Sequence, residues 1–307
     1  MMKTVICIMG PTASGKTGLA VRLAAHYGTE VVSADSMQIY RHMDIGTAKP
    51  DREERRGVLH HMLDIVEPSE DYSAARYAAD AGACVDGILS RGLLPIVAGG
   101  TGLYVDALIG ARSFEEEPDT DEIRARLQAE AAAHGSAALH ARLAAVDPER
   151  AARLHPNDEK RIIRALEIFE ATGETATDRD RRAASRAPRY RAVKLGLDWP
   201  DRIALYGRID RRVNLMFEAG LPEEAARVRA MRPGKTASQA IGYKELFRYF
   251  DGLCTLDEAR EDIARESRRY AKRQLTWLRR DREIVWLDAR DMEACFAAAC
   301  AVIEQTI

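Results

Sequence analysis

The sequence predicts an α/β protein, in which a parallel sheet carries helices on both faces and an all-helical insertion interrupts the core. Short apolar runs alternate with helical patterns along most of the 307-residue chain, which is typical of βαβ units. A glycine-rich turn at residues 10–17 joins the first apolar run to a helix. Strand signals stop within 113–187, where Ala, Arg and Glu dominate. We therefore predict a core of residues 1–112 and 188–307 and a helical insertion at 113–187.

The hydrophobic pattern gives the elements in order. Predicted strands cover residues 4–9, 30–33, 61–66, 93–98, 192–197 and 284–287. Predicted core helices cover residues 17–27 and 73–90, a stretch after residue 102 that ends near 109, and residues 201–219 and 255–280. Predicted helices of the insertion cover residues 121–133, 136–145, 148–154 and 157–171. The stretch 175–189 is rich in Arg, Ala, Asp and Ser with little apolar content, so we predict a mobile or irregular connection there.

The composition is that of an ordinary globular protein, with 46% hydrophobic and 31% charged residues and a net charge of −2. No apolar run is long enough to span a membrane, and the amino terminus leads into a core strand rather than a signal peptide. We therefore expect a cytoplasmic protein without membrane contact. The five cysteines form no C-x-x-C pair, which favours reduced thiols over disulfides or a zinc site. The net charge does not exclude nucleic acid, because a local basic stripe is enough to bind phosphates.

Residues 10–17 match the phosphate-loop pattern G-x-x-x-x-G-K-[ST] and lie between a strand and a helix, as that pattern requires. Glycines in such a loop let successive N–H groups point at one anion, and the helix amino terminus adds a positive dipole end. The lysine supplies a cation, and the threonine hydroxyl suits Mg²⁺ or a phosphate oxygen. We predict a polyphosphate site in a phosphate-loop NTPase-like core, formed by Gly10, Pro11, Thr12, Ala13, Ser14, Gly15, Lys16 and Thr17.

Two further polar side chains follow strands that neighbour this loop. Asp35 comes after the second predicted strand, and Thr101 after the strand at 93–98. The carboxyl ends of parallel strands form the edge where open α/β sheets bind ligands. From these residues alone, each is equally well explained as a helix N-cap or as part of a site. In a site, Asp35 would ligate a metal or accept a proton, and Thr101 would form hydrogen bonds with the reacting groups.

Several motifs taken together resemble the tRNA dimethylallyltransferase family, the bacterial tRNA isopentenyltransferases. They occur in the family's order from residue 10 to about residue 288 and read GPTASGKT, SADSMQIY with MDIGTAKP, HHMLDI, AGGTGLY, HPNDEKRIIRALE, AIGYKE and KRQLTWLRRD. The resemblance implies a phosphate-loop core with a helical insertion. It also implies transfer of a dimethylallyl group from dimethylallyl diphosphate to N6 of adenine 37, next to the anticodon, in tRNAs reading codons that begin with U.

The resemblance also assigns roles in catalysis. The phosphate loop would hold the diphosphate leaving group, and Thr17 would share Mg²⁺ with phosphate oxygens. Asp35 would take the proton from the adenine amine, and Thr101 would bind the amine or the oxygen of the breaking bond. Arg208, in the segment that resembles the family's R-[IL]-[DE]-x-R pattern, would reach the diphosphate. A surface salt bridge explains Arg208 equally well.

The expected partners are the tRNA anticodon stem-loop and dimethylallyl diphosphate, with no obligate protein partner and a monomeric chain. Seven basic residues against one acidic lie between 268 and 282, a run that by itself is more typical of a solvated face. The resemblance makes it an RNA surface and assigns the insertion to the anticodon region. The tRNA contacts it implies are Asp35, Ser36, Met37, Gln38, Thr101, Lys160, Arg161, Ile162, Ile163, Arg164, Gln239, Gly242, Tyr243, Lys244, Lys272, Arg273, Gln274 and Arg279.

Three alternative functions use parts of the same pattern. A small-molecule kinase explains the phosphate loop but not MDIGTAKP or the basic helix. An adenylate isopentenyltransferase shares the core motifs but leaves the basic helix and HPNDEKR without a partner. A non-catalytic RNA-binding protein would not need an intact Lys16, Thr17, Asp35 and Thr101.

Overall fold

The computed structural model describes residues 3–110, 120–185 and 187–307 and divides the chain into two compact units. An α/β unit contains Met1–Ile109 and Arg189–Ile307. A helical unit contains Gly110–Pro188.

The α/β unit is built on a six-stranded sheet in which every neighbouring pair is parallel. Its strands are β1 (Thr4–Met9), β2 (Val31–Ser33), β3 (His60–His61), β4 (Ile96–Gly99), β5 (Arg191–Asp198) and β6 (Val285–Asp288), in the order β3-β2-β4-β1-β5-β6. The central strand β1 is fully buried from Val5 to Ile8, as expected for a parallel strand covered on both faces. The α/β fold class is confirmed.

The first helices of the chain are α1 (Lys16–Tyr27), α2 (Arg52–Arg55), α3 (Ala74–Ser90) and α4 (Gly102–Ile109). The helices α1, α3 and α4 are close to their predicted positions, whereas the short α2 was not predicted. Gly28, with φ +61°, ends α1 in the left-handed conformation that glycine adopts at low cost. Ser73 caps α3 by accepting a hydrogen bond from the backbone N–H of Arg76.

The helical unit has its own apolar core. Its helices are α5 (Asp121–His134), α6 (Ser136–Val146), α7 (Pro148–Arg153), α8 (Glu159–Thr172) and α9 (Ala176–Ala184). Leu127, Leu139, Leu143 and Ile162 are fully buried in it. Within one helix the buried residues recur at helical spacing, as Leu139 and Leu143 do on α6, which is why the pattern of this region predicts helices.

The helix α9 shows that the prediction of an irregular connection at 175–189 was wrong for most of that stretch. Thr175 caps the helix by accepting a hydrogen bond from the Asp178 N–H. The buried Thr177 donates its hydroxyl to Asp147 Oδ1 at 2.6 Å, and its N–H to Oδ2 of the same residue at 3.0 Å. Composition failed to indicate the helix because capping and hydrogen bonds, rather than a broad apolar face, hold it in place.

The second half of the α/β unit is mostly helical. Its helices are α10 (Arg202–Glu218), α11 (Leu221–Ala230), α12 (Tyr243–Phe250), α13 (Leu256–Leu278) and α14 (Met292–Thr306). The long helix α13 starts with a complete capping box, in which Thr255 and Glu258 satisfy each other's backbone N–H groups.

The predicted strand at 61–66 is almost absent, because β3 contains only two residues. Met62 and Asp64 both have positive φ values, +62° and +56°, so the chain leaves the sheet there. The turn brings the Asp64 carboxylate to within 2.5 Å of Lys49 Nζ. The apolar pattern of this segment reflects packing of a turn and not strand pairing.

A buried carboxylate on α11 fixes the MDIGTAKP segment. Glu224, 3% exposed, accepts the backbone N–H groups of Asp44, Ile45 and Gly46 at 2.9–3.0 Å. Tyr243 donates its hydroxyl to the same carboxylate at 2.6 Å. A Cβ atom on Gly46 would lie 2.5 Å from the Tyr243 ring, so only glycine fits at this position.

We predict that Glu224→Gln lowers the free energy of unfolding by about 1.5–3 kcal/mol, because the amide group would turn a donor toward N–H groups that need an acceptor. Denaturant unfolding curves measure this loss. The matched control is the neighbouring exposed residue, for which Glu223→Gln should change stability by less than about 0.5 kcal/mol. Equal effects of the two substitutions would contradict a structural role of the buried carboxylate.

Candidate active site

The phosphate loop joins β1 to α1 in a conformation that turns its N–H groups toward one point. Gly15 and Ala13 both have positive φ values, +96° and +62°, and such left-handed residues create the concave nest that binds anions. Lys16 folds over the loop and donates its Nζ to the Pro11 carbonyl at 2.7 Å. The loop therefore presents N–H groups, a helix amino terminus and a cation together.

The charge of Lys16 is sensitive to its surroundings. The pKa of its ammonium group is lowered to about 8, mainly by burial; the Asp35 carboxylate opposes this shift and the nearby Arg212 adds to it. A bound anion would favour the charged form, since an opposite charge within a few ångströms stabilises it.

Two arginines on α10 contact the loop from different sides. The guanidinium of Arg212 donates to Thr12 Oγ1 at 2.9 Å. The residue is half-buried, and desolvation lowers its pKa. Arg208 is exposed, donates to the Ala13 carbonyl at 2.9 Å and lies over the Trp199 ring at 4.7 Å.

The residues that follow β2 and β4 are joined by hydrogen bonds. One carboxylate oxygen of Asp35 accepts the Met37 N–H at 2.9 Å. The Thr101 hydroxyl accepts the Ser36 N–H at 3.1 Å. The Thr101 N–H in turn donates to the Ala34 carbonyl at 3.1 Å. The carboxylate and the hydroxyl are thus fixed relative to each other at the carboxyl edge of the sheet.

These groups surround one cavity of about 300 Å³ within the α/β unit. Thr12, Lys16, Thr17 and Arg212 line its anion-binding end, and Asp35 is part of its wall. Its apolar wall contains Ile209, Val213 and Met216 of α10 and Ile263 of α13. Such a cavity suits a ligand with a polyphosphate group and a small hydrocarbon group, placed next to a proton acceptor.

Family models match most of the chain. A model described as "IPP transferase" matches residues 38–281, and one described as "Isopentenyl transferase" matches residues 3–67. The chain is 50% identical over 285 residues to the tRNA dimethylallyltransferase of Geobacter sulfurreducens, covering 92% of this chain and 91% of that protein. It is 51% identical over 284 residues to that of Anaeromyxobacter dehalogenans, covering 92% and 94%.

The chain belongs to the tRNA dimethylallyltransferase family. Solved structures agree with this. The tRNA isopentenylpyrophosphate transferase of Bacillus halodurans superposes with a TM-score of 0.71 at 42% identity, covering all of this chain and 98% of that one. A eukaryotic dimethylallyltransferase acting on tRNA superposes with a TM-score of 0.79 at 28% identity, covering 99% of this chain and 79% of that one.

For a chain of the dimethylallyltransferase family, the predicted site residues are largely brought together. The residues of the prediction that line the cavity are Thr12, Lys16, Thr17, Asp35, Ser36, Met37, Gln38, Gln239, Lys244, Arg273 and Gln274. Thr101 is hydrogen-bonded to Ser36 beside it. Lys160, Arg161, Lys272 and Arg279 are exposed, and Arg161 and Arg279 form ion pairs with Asp158 and Asp198.

Of the two arginines on α10, Arg208 does not line the cavity and Arg212, one helical turn later, does. Residues four apart on a helix share a face, so the sequence indicated both arginines but did not decide between them. Arg208 donates to a carbonyl of the phosphate loop and lies over the ring of Trp199, which follows β5.

Several side chains assigned to RNA form contacts within the protein, and their assignment stays a prediction. Ile162 and Ile163 are buried in the helical unit, and Tyr243, next to the buried Gly242, is fully buried. Gln38 donates to the Ala48 carbonyl at 3.1 Å and accepts from Ser33 Oγ at 3.1 Å, so its amide is held by the protein. Arg164 is half-buried and pairs with Glu167 at 2.5 Å.

Tyr270 is a cavity residue that the motifs did not indicate. Burial raises the pKa of its hydroxyl to about 12, and the Asp35 charge adds to this, so the phenol stays protonated at neutral pH. Its spacing of four from Gln274 places both side chains on the same face of α13. That spacing was the available signal.

We predict that Arg212→Gln lowers kcat/KM for dimethylallyl diphosphate by about 10²–10³, as expected for loss of a cavity-lining group that stabilises developing negative charge. The matched control is Arg208→Gln, which we expect to cost less than about tenfold because this guanidinium is exposed and supports the loop only from outside. Steady-state kinetics with saturating tRNA measure both values. A larger loss in the Arg208 variant would reverse the two assignments.

Proposed function

We propose that this protein transfers the dimethylallyl group of dimethylallyl diphosphate to N6 of adenine 37 in tRNAs reading codons that begin with U, and releases diphosphate. The observation that carries the proposal is the single cavity in which the phosphate loop, Asp35 and an apolar wall of α10 meet. Its relatives are named for this transfer to tRNA. The substrate is the reason to place the activity in the cytoplasm, and we expect a monomer.

The phosphate loop would bind the leaving group. Negative charge develops on diphosphate as the bond between carbon and oxygen breaks, and fixed donors aimed at that charge lower the barrier. The Lys16 ammonium, the Arg212 guanidinium and N–H groups of the loop would supply these donors. The apolar side chains of Ile209, Val213 and Met216 complete the other wall and suit the hydrocarbon part of the substrate.

Mg²⁺ is the expected cofactor, and the chemistry of this end of the cavity fits it. The described parts of the chain contain no group of three or more His, Cys, Asp or Glu side chains that could hold a metal ion. Mg²⁺ commonly binds through phosphate oxygens and few protein ligands. Thr17, whose hydroxyl is a hard oxygen donor beside Lys16, would share the ion with the diphosphate. When bound, the ion would neutralise charge on the leaving group.

Asp35 would act as the general base. The lone pair of an exocyclic adenine amine is delocalised into the ring, so the amine gains from an acceptor that takes its proton as the new bond forms. The hydrogen bond from the Met37 N–H holds one carboxylate oxygen in place. The Thr101 hydroxyl accepts the N–H of Ser36, the residue that follows Asp35 in the sequence. The adenine must leave its stack in the anticodon loop to reach this carboxylate.

The exposed face of α13 would bind the RNA backbone. Arg269 and Lys272 of α13 and Arg280 just beyond its end are exposed, and Arg269 forms a surface ion pair with Glu266. The exposed Lys160 and Arg161 of the helical unit would add contacts near the anticodon. Surface ion pairs of this kind are worth little in water, so phosphates can replace them.

The direct test incubates the protein with dimethylallyl diphosphate and unmodified tRNA and analyses the nucleosides by mass. Prenylated adenosine in the tRNA supports the proposal. Prenylation of free AMP or ATP in preference to tRNA would favour an adenylate isopentenyltransferase, and phosphate transfer from ATP would favour a kinase.

Asp35→Asn should lower the single-turnover rate of transfer by about 10²–10⁴, because the amide keeps the shape but cannot accept the proton. The affinity for tRNA should stay within a few-fold of the wild-type value, measured by filter binding. Dimethylallyl diphosphate should still bind, since the loop is unchanged. A variant that keeps a tenth or more of the wild-type rate would exclude Asp35 as the base.

The double variant Lys272→Gln, Arg280→Gln should weaken tRNA binding and leave the KM for dimethylallyl diphosphate unchanged. If both cations contact phosphates, the slope of log affinity against log salt becomes shallower by roughly one to two units. The matched control removes two exposed cations from the amino ends of the strands, Lys3→Gln with Arg191→Gln, and should leave the slope unchanged. Identical slopes for all three proteins would assign RNA binding to another surface.

A further inference from the structure

The amide of Gln274 connects two loops of the active site. Its Oε1 accepts the backbone N–H of Thr12, in the phosphate loop, at 2.8 Å. Its Nε2 donates to the carbonyl of Gly100, which precedes Thr101, at 3.0 Å. The side chain is 5% exposed, so neither bond competes with bulk water.

The orientation of this amide is fixed by its partners. A backbone N–H only donates and a carbonyl only accepts, so the oxygen must face Thr12 and the nitrogen must face Gly100. Among neutral side chains of this length, only glutamine offers both an acceptor and a donor. Thr12 is held a second time by the Arg212 guanidinium, which donates to its hydroxyl.

The second glycine of the AGGTG segment is explained by the same contact. A Cβ atom on Gly100 would lie 2.1 Å from Gln274 Nε2, a distance at which the amide must move. Gly100 is not among the residues with positive φ, so the backbone does not require glycine there. The requirement comes from the close approach of the amide.

We infer that Gln274 is a positioning residue of the diphosphate site, which holds the phosphate loop at Thr12 and the segment carrying Thr101 in one fixed arrangement, and that it does not contact the RNA. This inference rests on the proposed function, since it assigns the loop to the diphosphate group. It replaces the expectation that Gln274 binds tRNA.

The role predicts how single substitutions act. Gln274→Met keeps the length of the side chain and removes both hydrogen bonds, so the loop loses its fixed position. We expect a loss of about 5- to 30-fold in affinity for inorganic pyrophosphate, as for loss of one or two buried hydrogen bonds. The affinity for tRNA should remain within about twofold of the wild-type value. Gly100→Ala displaces the amide without removing it and should weaken pyrophosphate binding in the same direction.

Glutamate in place of Gln274 should make pyrophosphate affinity depend on pH, which would not be expected if Gln274 only stabilised the fold. A protonated carboxylic acid has one donor and one acceptor, as an amide does, whereas the ionised form only accepts and would face the Gly100 carbonyl. For Gln274→Glu, pyrophosphate affinity relative to wild type should therefore rise as pH falls through the pKa of the new side chain. Burial raises the pKa of such a carboxyl above its usual value of about 4.3.

Dividing the pyrophosphate affinity of each variant by the wild-type affinity at the same pH cancels the effect of other titrating groups that face the cavity. The wild-type protein also contains these groups, which are Lys16, Asp35, Arg212, Lys244, Tyr270 and Arg273. The Gln274→Met variant should show a constant loss across the same pH range. The matched control is Gln305→Glu, at an exposed position on α14, which should bind pyrophosphate as the wild type does at every pH.

Isothermal titration calorimetry from about pH 5.5 to 8 measures the pyrophosphate affinity of each variant. Reduced affinity in the Met variant, with pH-dependent recovery in the Glu variant, supports the inference. Wild-type pyrophosphate affinity in both variants, or loss of tRNA affinity instead, overturns it. If the Met variant does not fold, the Glu variant compared at low and high pH gives the same decision. Failure of the wild-type protein to prenylate tRNA would instead reject the proposed function.

Discussion

The arrangement of the active site depends on a buried lysine that fixes the wall of the cavity. Lys49 is 8% exposed and donates to the Tyr40 carbonyl at 2.8 Å and to Asp44 and Asp64 at 2.5 Å. An ammonium group has three donors, and all three are used here, which is the condition under which a buried cation is tolerated. Removing any one acceptor would leave part of a desolvated charge without a partner.

A second buried charge completes this arrangement from the opposite side. Glu224 binds the N–H groups that begin at Asp44, while the carboxylate of Asp44 binds Lys49. The segment after β2 is therefore held at its backbone and at its side chains. Because Asp35 begins this segment and Ala48 ends the part that lines the cavity, the position of the proposed base depends on groups that never touch a substrate. The motif MDIGTAKP is thus explained by structure more than by direct contact with RNA.

The two faces of helix α13 have different roles at the site. Its inner face carries Tyr270, Gln274 and Trp277, spaced by four and three residues as neighbours on a helix are. A Cβ atom on Gly102 would lie 2.4 Å from the Trp277 ring, so this face packs closely on the loop that follows β4. Its outer face is the basic surface proposed for RNA. One rigid element therefore sets the distance between the RNA surface and the diphosphate site.

The sequence predicted the parts of the molecule that local chemistry decides. The phosphate loop and β1 are recognisable because glycine positions, a lysine and a buried strand act within 14 residues. The fold class followed from alternation of strands and helices. The prediction of a strand at 61–66 was wrong because Asp64 forms an ion pair with Lys49, 15 residues earlier, and lies in a turn. The choice between Arg208 and Arg212 depended on how α10 packs, and helical spacing alone does not decide which turn faces inward.

The role of Gln274 could not be predicted from the sequence, because it too depends on how a helix packs. Its position within KRQLTWLRRD, between basic residues, indicates an exposed polar side chain, and only the packing of α13 shows that it is buried. The same packing decides what the phosphate loop is used for. In this cavity the loop faces a carboxylate and an apolar wall at short range. In the proposed reaction, the apolar surface would suit the allylic group, the cations would favour the departing diphosphate, and the carboxylate would remove a proton from the incoming amine. A phosphate loop provides only the anion site, and its neighbours would determine that the bond broken is the one between carbon and oxygen.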